Sequence, residues 1–169
     1  MAQVYDGMEC PLCSKVIDVD SDFFASTALP DEDGDLIDES DAAMHWACLF
    51  AREDADRFLD KLDAGERRSL RANPCWEILV DDAALLVAVN PDPTLDRDFG
   101  LSVHVLRTGM SWDLALNRFP ACLEAMADPA RLSVLPSERR ARVAAALEAL
   151  RAMAPQLTQE LRRLDSRVK

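Results

Sequence analysis

Two short runs hold most of the metal-ligating chemistry of the sequence, Cys10-Pro11-Leu12-Cys13 and His45-Trp46-Ala47-Cys48. Each places two soft or borderline donors three positions apart, so that one tight turn brings both to a single point. The chain has only two histidines, and one of them stands at this spacing from a cysteine. Four such donors are what a tetrahedral structural zinc ion takes, so Cys10, Cys13, His45 and Cys48 are the expected ligands and zinc the expected cofactor. A complete shell leaves no position for water or substrate, which argues against catalytic zinc. Three thiolates and a neutral imidazole leave the filled site at a net charge of about −1. A redox reading of Cys10 and Cys13 needs the pair to open a helix after a buried strand. Residues 1–9 offer no convincing core strand.

The 31 residues between the two pairs suit a hairpin and the start of a helix. In a zinc ribbon both pairs sit on hairpin turns, whereas here the second pair runs directly into an amphipathic pattern. Knuckle, hairpin, then a helix donating two ligands resembles a treble-clef finger, over roughly residues 8–62. The pattern also looks like one half of a LIM module, Cys-x-x-Cys followed by His-x-x-Cys, with a longer gap. Cys-Pro-Leu-Cys with the later Asp-Ala-Ala-Met-His-Trp-Ala-Cys is similar to a group of uncharacterised bacterial zinc-binding proteins, which pair such a finger with a small α/β extension. Ser14 departs from the glycine common at that place in a knuckle and leaves the ligands intact.

Five cysteines, an odd count spread thinly over 169 residues, argue against a disulfide framework. The N-terminus lacks the basic start and apolar core of a secretory signal, and no apolar run approaches the roughly 20 residues of a spanning helix. The expected location is cytoplasmic, away from any membrane. The formal net charge of −12 is lodged wholly in residues 1–62, where 16 acidic residues face 4 basic ones; residues 63–169 carry 15 of each. An acidic finger of about 55 residues has little apolar area of its own. Metal binding on the order of 10 kcal/mol offsets that deficit.

The elements that must position these residues read as follows. Phe23–Leu29 has the composition of a short strand, Pro30–Asp35 a turn, and Leu36-Ile37 a return strand. Asp41 reads as an N-cap of a helix carrying Ala51, Ala55, Phe58, Leu59 and Leu62 on one face, with a second short helix over 64–72. Trp76–Val80 and Leu85–Val89 read as strands. The alternation of Leu101, Val103 and Val105, the Thr108-Gly109 turn and the alternation after it predict a hairpin. Phe119–Met126 and a stretch capped by Ser137 read as helices, with a break or kink at Pro155 before Leu157, Leu161 and Leu164. The expected fold is α+β: an N-terminal treble-clef zinc finger (1–62), then an α+β region (63–169) with a small antiparallel sheet covered by C-terminal helices.

Other candidates carry less chemistry. The aspartates of 18–22 and 31–35 alternate as calcium-loop ligands do, but lack the glycine and terminal glutamate of an EF-hand. Asp31, Glu32, Asp33 and Asp35 read instead as a solvated loop able to dock a basic partner. His104 is expected to face solvent or a polar neighbour, with no nucleophile or base beside it in sequence. An enzymatic site from Asp81, Asp82, Asp113 and His104 has no evident geometry. Cys75 and Cys122 read as buried small apolar residues. Arg139, Arg140, Arg142, Arg162 and Arg163 are interleaved with Ala and Leu as on a solvated helix face, and nucleic acid is a disfavoured partner at this net charge. The functional expectation is a non-enzymatic, zinc-stabilised protein that binds a basic protein partner through an acidic surface, a profile shared by bacterial immunity proteins and antitoxins. The alternative is a nucleic-acid-linked regulator that uses the finger as scaffold and these arginines as contacts.

Overall fold

A four-stranded antiparallel meander with a helix on each face forms the larger part of the structure, a computed structural model that describes residues 5–18, 23–29, 33, 37, 41–90, 100–115 and 118–167. Its strands are β3 (Glu77–Asp81), β4 (Leu85–Val89), β5 (Leu101–Val105) and β6 (Met110–Leu114), lying side by side in that order. Ahead of them come β1 (Phe24–Ala25), β2 (Ala43–Met44), α1 (Trp46–Ala51) and α2 (Ala55–Ala72). The chain closes with α3 (Leu123–Met126), α4 (Pro129–Leu132) and α5 (Ser137–Arg167). Among the described residues, no helix is long and apolar enough to cross a membrane.

The meander follows from period-2 alternation. Leu85, Val87, Val89, Leu101, Val103 and Val105 point to one face, where Val143, Leu147, Leu150, Leu157 and Leu161 of α5 cover them. Leu86 and Ala88 point to the other face, against Leu70 of α2. All five residues of β4 are buried because both faces of this inner strand are covered. The expected C-terminal helical cover is present on one face. The cover on the second face is α2, an element read in the sequence as part of the finger.

Several local expectations differ from the structure. Ala43 and Met44 are strand, not helix, because they pair antiparallel with Ala25 and Phe24 and are fully buried there. The helix therefore starts at Trp46, with His45 rather than Asp41 as its N-cap. Leu36 lies outside the described residues, and Ile37 donates its N–H to Leu29 O at 2.9 Å. The first helix expected there is two, α1 and α2, broken at 52–54, and α2 runs on past residue 63 through the second expected helix, with Gly65 buried on its packed face. Phe119–Met126 is helical only from Leu123; Pro120 disfavours the helical conformation at the residue before it. Pro155 does not end α5. A mid-helix proline costs about 3 kcal/mol, which the buried stripe Leu150, Ala154, Leu157, Leu161 and Leu164 on the same helix outweighs. Cys75 is exposed and Cys122 only half-buried.

α2 belongs to two cores. Phe58, Leu59 and Leu62 pack with Cys10, Ile17, Phe24, Met44 and Leu49, while Leu70 packs under β4. Trp46 and Phe50 likewise touch both the N-terminal cluster and the sheet–α5 core. Arg139 of α5 fastens this junction: its guanidinium lies 4.8 Å over the Phe50 ring and also bonds Asp56 and the carbonyl of Arg107.

Candidate metal centre and a buried histidine cluster

Residues 8–17 fold back on themselves, with Ile17 N–H donating to Met8 O at 2.8 Å and Cys10 N–H to Lys15 O at 2.9 Å. Inside that loop the N–H groups of Cys13 and Ser14 both donate to Cys10 O, closing the turn that aims the two thiols the same way. Ser14 adopts a left-handed φ of 57°, the conformation for which glycine is preferred. Ser14→Gly is therefore expected to raise the stability of the metal-loaded protein by about 0.5–1 kcal/mol, read as a higher melting temperature; an unchanged or lower one would refute it.

The second pair rides on α1. His45 O accepts from the N–H groups of Cys48 and Leu49, both at 3.0 Å, so the first helical turn fixes His45 and Cys48 on one side. His45 Nδ1 lies 3.5 Å from Cys13 Sγ and 3.8 Å from Cys48 Sγ. The ligand atoms of Cys10, Cys13, His45 and Cys48 all fall within 4.8 Å of one another, an arrangement that could hold a metal ion, and the only such group among the described residues. All four residues singled out by spacing are thus brought together.

The thiols respond to one another. Burial pushes the Cys10 thiol up, but backbone N–H groups of His45, Leu12 and Cys13 outweigh it and bring it down to about 7. Cys48 is pushed up to about 11 by burial and by the neighbouring Cys13 and Cys10 sulfurs. One thiolate forms readily here and further ones are resisted, which is the electrostatic demand that a bound cation satisfies.

Of the acidic loop, Asp33 is exposed; Asp31, Glu32 and Asp35 lie outside the described residues. The C-terminal arginines are largely engaged within the chain. Arg139 bonds Asp56, Arg142 lies 3.1 Å from Glu138, and Arg163 bonds Glu160.

A cluster that sequence reasoning missed surrounds His104. Its Nε2 lies 2.9 Å from Ser102 Oγ and 3.5 Å from Glu66 Oε1, and Ser102 Oγ donates to Asp113 Oδ1 at 2.8 Å. A carboxylate only accepts, so the Ser102 proton goes to Asp113 and His104 Nε2–H is left to donate to Ser102. The imidazole is thus a donor toward this hydroxyl and not its base. Ser102 is also buried, at the inner wall of a cavity it shares with His104 and Asp113. Burial lowers the His104 pKa, with Asp113 opposing, and so favours the neutral ring. Two signals in the sequence point to the cluster: Ser102 and His104 share a strand face, and the hairpin register sets Ser102 opposite Asp113. Glu66 arrives from α2 and has no local signal. Asp81 and Asp82 are elsewhere, the first held by Arg67 and Arg71, the second capping the N–H groups of Ala84 and Leu85.

Asp63, beside this cluster, is raised from 3.8 to about 6 by burial, with the Arg107 N–H and the Arg67 charge opposing. The folded state therefore holds this proton more tightly than the unfolded chain. The resulting destabilisation is absent below the unfolded pKa, grows as pH rises toward about 6, and is complete above it. Asp63→Asn removes it. The gain in melting temperature over wild type is expected to be larger near neutral pH than near pH 4; an equal difference at both would contradict this origin. No protein-family model, curated protein or solved structure matches the chain.

Proposed function

We propose that this is a non-enzymatic binding protein whose N-terminal third is a treble-clef finger held by a structural zinc ion, and whose acidic surface takes a basic protein partner. The carrying observation is the closed Cys10–Cys13–His45–Cys48 cluster. Tetrahedral zinc sets sulfur–sulfur edges at about 3.8 Å and sulfur–nitrogen edges at about 3.6 Å, and the two separations from His45 Nδ1, 3.5 and 3.8 Å, accommodate such a shell. The order of knuckle, β1–β2 pair and ligand-bearing α1 supports the treble-clef reading. Four protein donors fill four positions, so the metal would hold the fold and not activate a substrate. The donor direction at His104 supports the absence of a serine-type site. The 16 acidic residues of the first 62 supply the attraction for a basic partner. An immunity protein or antitoxin that covers a basic nuclease suits this profile by analogy.

Two measurements test the reading. Metal analysis of protein purified without added metal should find one zinc per chain. Affinity capture at low salt, followed by identification, should return a basic protein that is released at high salt and lost when Asp31, Asp33 and Asp35 are changed together to Asn. Absence of zinc sinks the structural half; a captured partner indifferent to salt and to these changes sinks the other.

A further inference from the structure

The sheet ends on β6, and among the described residues no strand pairs with its outer edge. An open edge carries unpaired N–H and C=O groups ready to take another strand. β1 lies across the gap from it but is hydrogen-bonded to β2. Two cavities open along this seam, one on each side of β6. The first, about 160 Å³, is lined by Asp63, Glu66, His104 and Asp113, with Ser26 and Thr27 opposite. The second, about 180 Å³, is lined by Phe23, Trp46, Met110 and Trp112, with Arg131 also lining it. Phe24, Ala25, Gly109, Met110 and Ser111 line both, so the two are neighbours along the seam.

The first cavity has unbalanced charge. Among the described residues neither Lys nor Arg lines it. Asp63 accepts a backbone N–H of Arg107 at 2.7 Å, while the guanidinium of that arginine turns to Asp60 at 2.8 Å. Among the described residues Asp113 takes the Ser102 hydroxyl and Glu66 faces His104, a ring whose burial favours the neutral form. Burial with mutual repulsion from Asp113 and Asp63 raises the Glu66 carboxyl above its ordinary range. Three carboxylates thus line one cavity, Asp63 and Glu66 half-buried and Asp113 exposed, and a cation entering from outside relieves all of them. An extended chain sends alternate side chains to opposite faces. A strand laid along β6 would therefore offer one side chain to the acidic cavity and its neighbour to the aromatic one.

We propose that the open edge of β6 docks an extended segment of the basic partner, with a cationic side chain in the Asp63–Glu66–Asp113 cavity and an apolar or aromatic one in the Trp46–Trp112 cavity. This rests on the basic-partner reading above and moves the central contact from the acidic loop to the seam between finger and sheet. Strand addition supplies main-chain affinity, and the two cavities supply specificity through alternate side chains.

The test uses the full zinc-loaded chain in calorimetric titrations with three capped seven-residue peptides. One alternates Arg with Val, one replaces every Arg with Glu, and one keeps the Arg residues but replaces the Val residues with Pro. The Arg–Val peptide should bind, the Glu peptide should not, and the Pro peptide should bind at least about tenfold more weakly because it cannot pair along the edge. Glu66→Gln with Asp113→Asn should weaken the Arg–Val peptide at least about tenfold. Ser111→Lys, a change at an exposed edge position, should do the same by placing a resident cation at the seam, and it serves should the double variant fold poorly. Equal binding of the Arg–Val and Pro peptides overturns the edge. So does binding that survives both cavity variants; if that binding is lost on neutralising Asp31, Asp33 and Asp35, the basic-partner reading still stands. No binding of the Arg–Val peptide also overturns the edge, and the capture experiment then judges the broader reading by itself. A concentration-dependent dimer abolished by Ser111→Lys would identify a second copy as the occupant and overturn the proposal.

Discussion

Cys13→Ser, or stripping the metal with a strong chelator, is expected to melt the N-terminal third of the protein and to lower the stability of the whole. The ligands come from two segments 31 residues apart, and the cluster they serve is small, comprising Cys10, Ile17, Phe24, Met44, Leu49 and their neighbours. Zinc bound at such a site would contribute on the order of 10 kcal/mol, comparable to the roughly 5–15 kcal/mol that holds an ordinary domain, so its loss is expected to leave this segment without a stable fold. Trp46 provides a probe because it packs 5.4 Å from Phe24 and stacks on Phe50 at 5.7 Å. Its near-ultraviolet signal should collapse with the metal while much of the far-ultraviolet signal from the sheet and α5 remains. Affinity should fall with falling pH, since protons compete for the thiolates. If Cys13→Ser melts at the wild-type temperature and the wild type holds no stoichiometric metal, the four side chains meet by accident.

The second large effect is expected at Leu150. It is fully buried at the centre of the α5 stripe, between Leu147 and Ala154, over β4 and β5. Leu150→Ala removes its buried methyl groups and leaves a cavity between a long helix and a sheet, neither free to collapse into it. The loss should be about 2–5 kcal/mol, measurable as a lower denaturant midpoint at unchanged slope. An exposed neighbour on the same helix, Arg151→Ala, should move stability by no more than about 0.5 kcal/mol. Equal effects from the two would mean that α5 is not packed as described.

What the sequence made legible is what depends on local spacing. The four candidate ligands stand in two i, i+3 pairs, β4 announces itself by its unbroken apolar run, and β5 and β6 by alternation and the Thr108-Gly109 turn. Gly109 takes a φ of 74° there and packs at 3.1 Å, measured from where a Cβ would stand, against the Phe24 ring. What stayed hidden depends on partners distant in sequence. Ala43 and Met44 carry no strand signal of their own and become strand because Phe24 and Ala25 lie alongside. The sequence reads as one helix through Leu62 and a second over 64–72, yet the helix continues across residue 63 because Gly65 is buried on its packed face and Leu70 is drawn under β4. Glu66 stands apart from His104 on paper, since it reaches the ring from another element.

The double allegiance of α2 has a practical consequence for anyone mapping activity by deletion. A fragment ending near residue 62 keeps Phe58 and Leu59 but loses the turns that carry Gly65 and Leu70. The complementary fragment uncovers Leu86 and Ala88 and forfeits the Trp46 and Phe50 rings that close the sheet–α5 core. Each half would show sticky apolar surface and unreliable binding, whatever the intact protein does. Point substitutions in the whole chain, at Glu66, Asp113 or Ser111, will therefore locate a binding surface where truncation would report only misfolding.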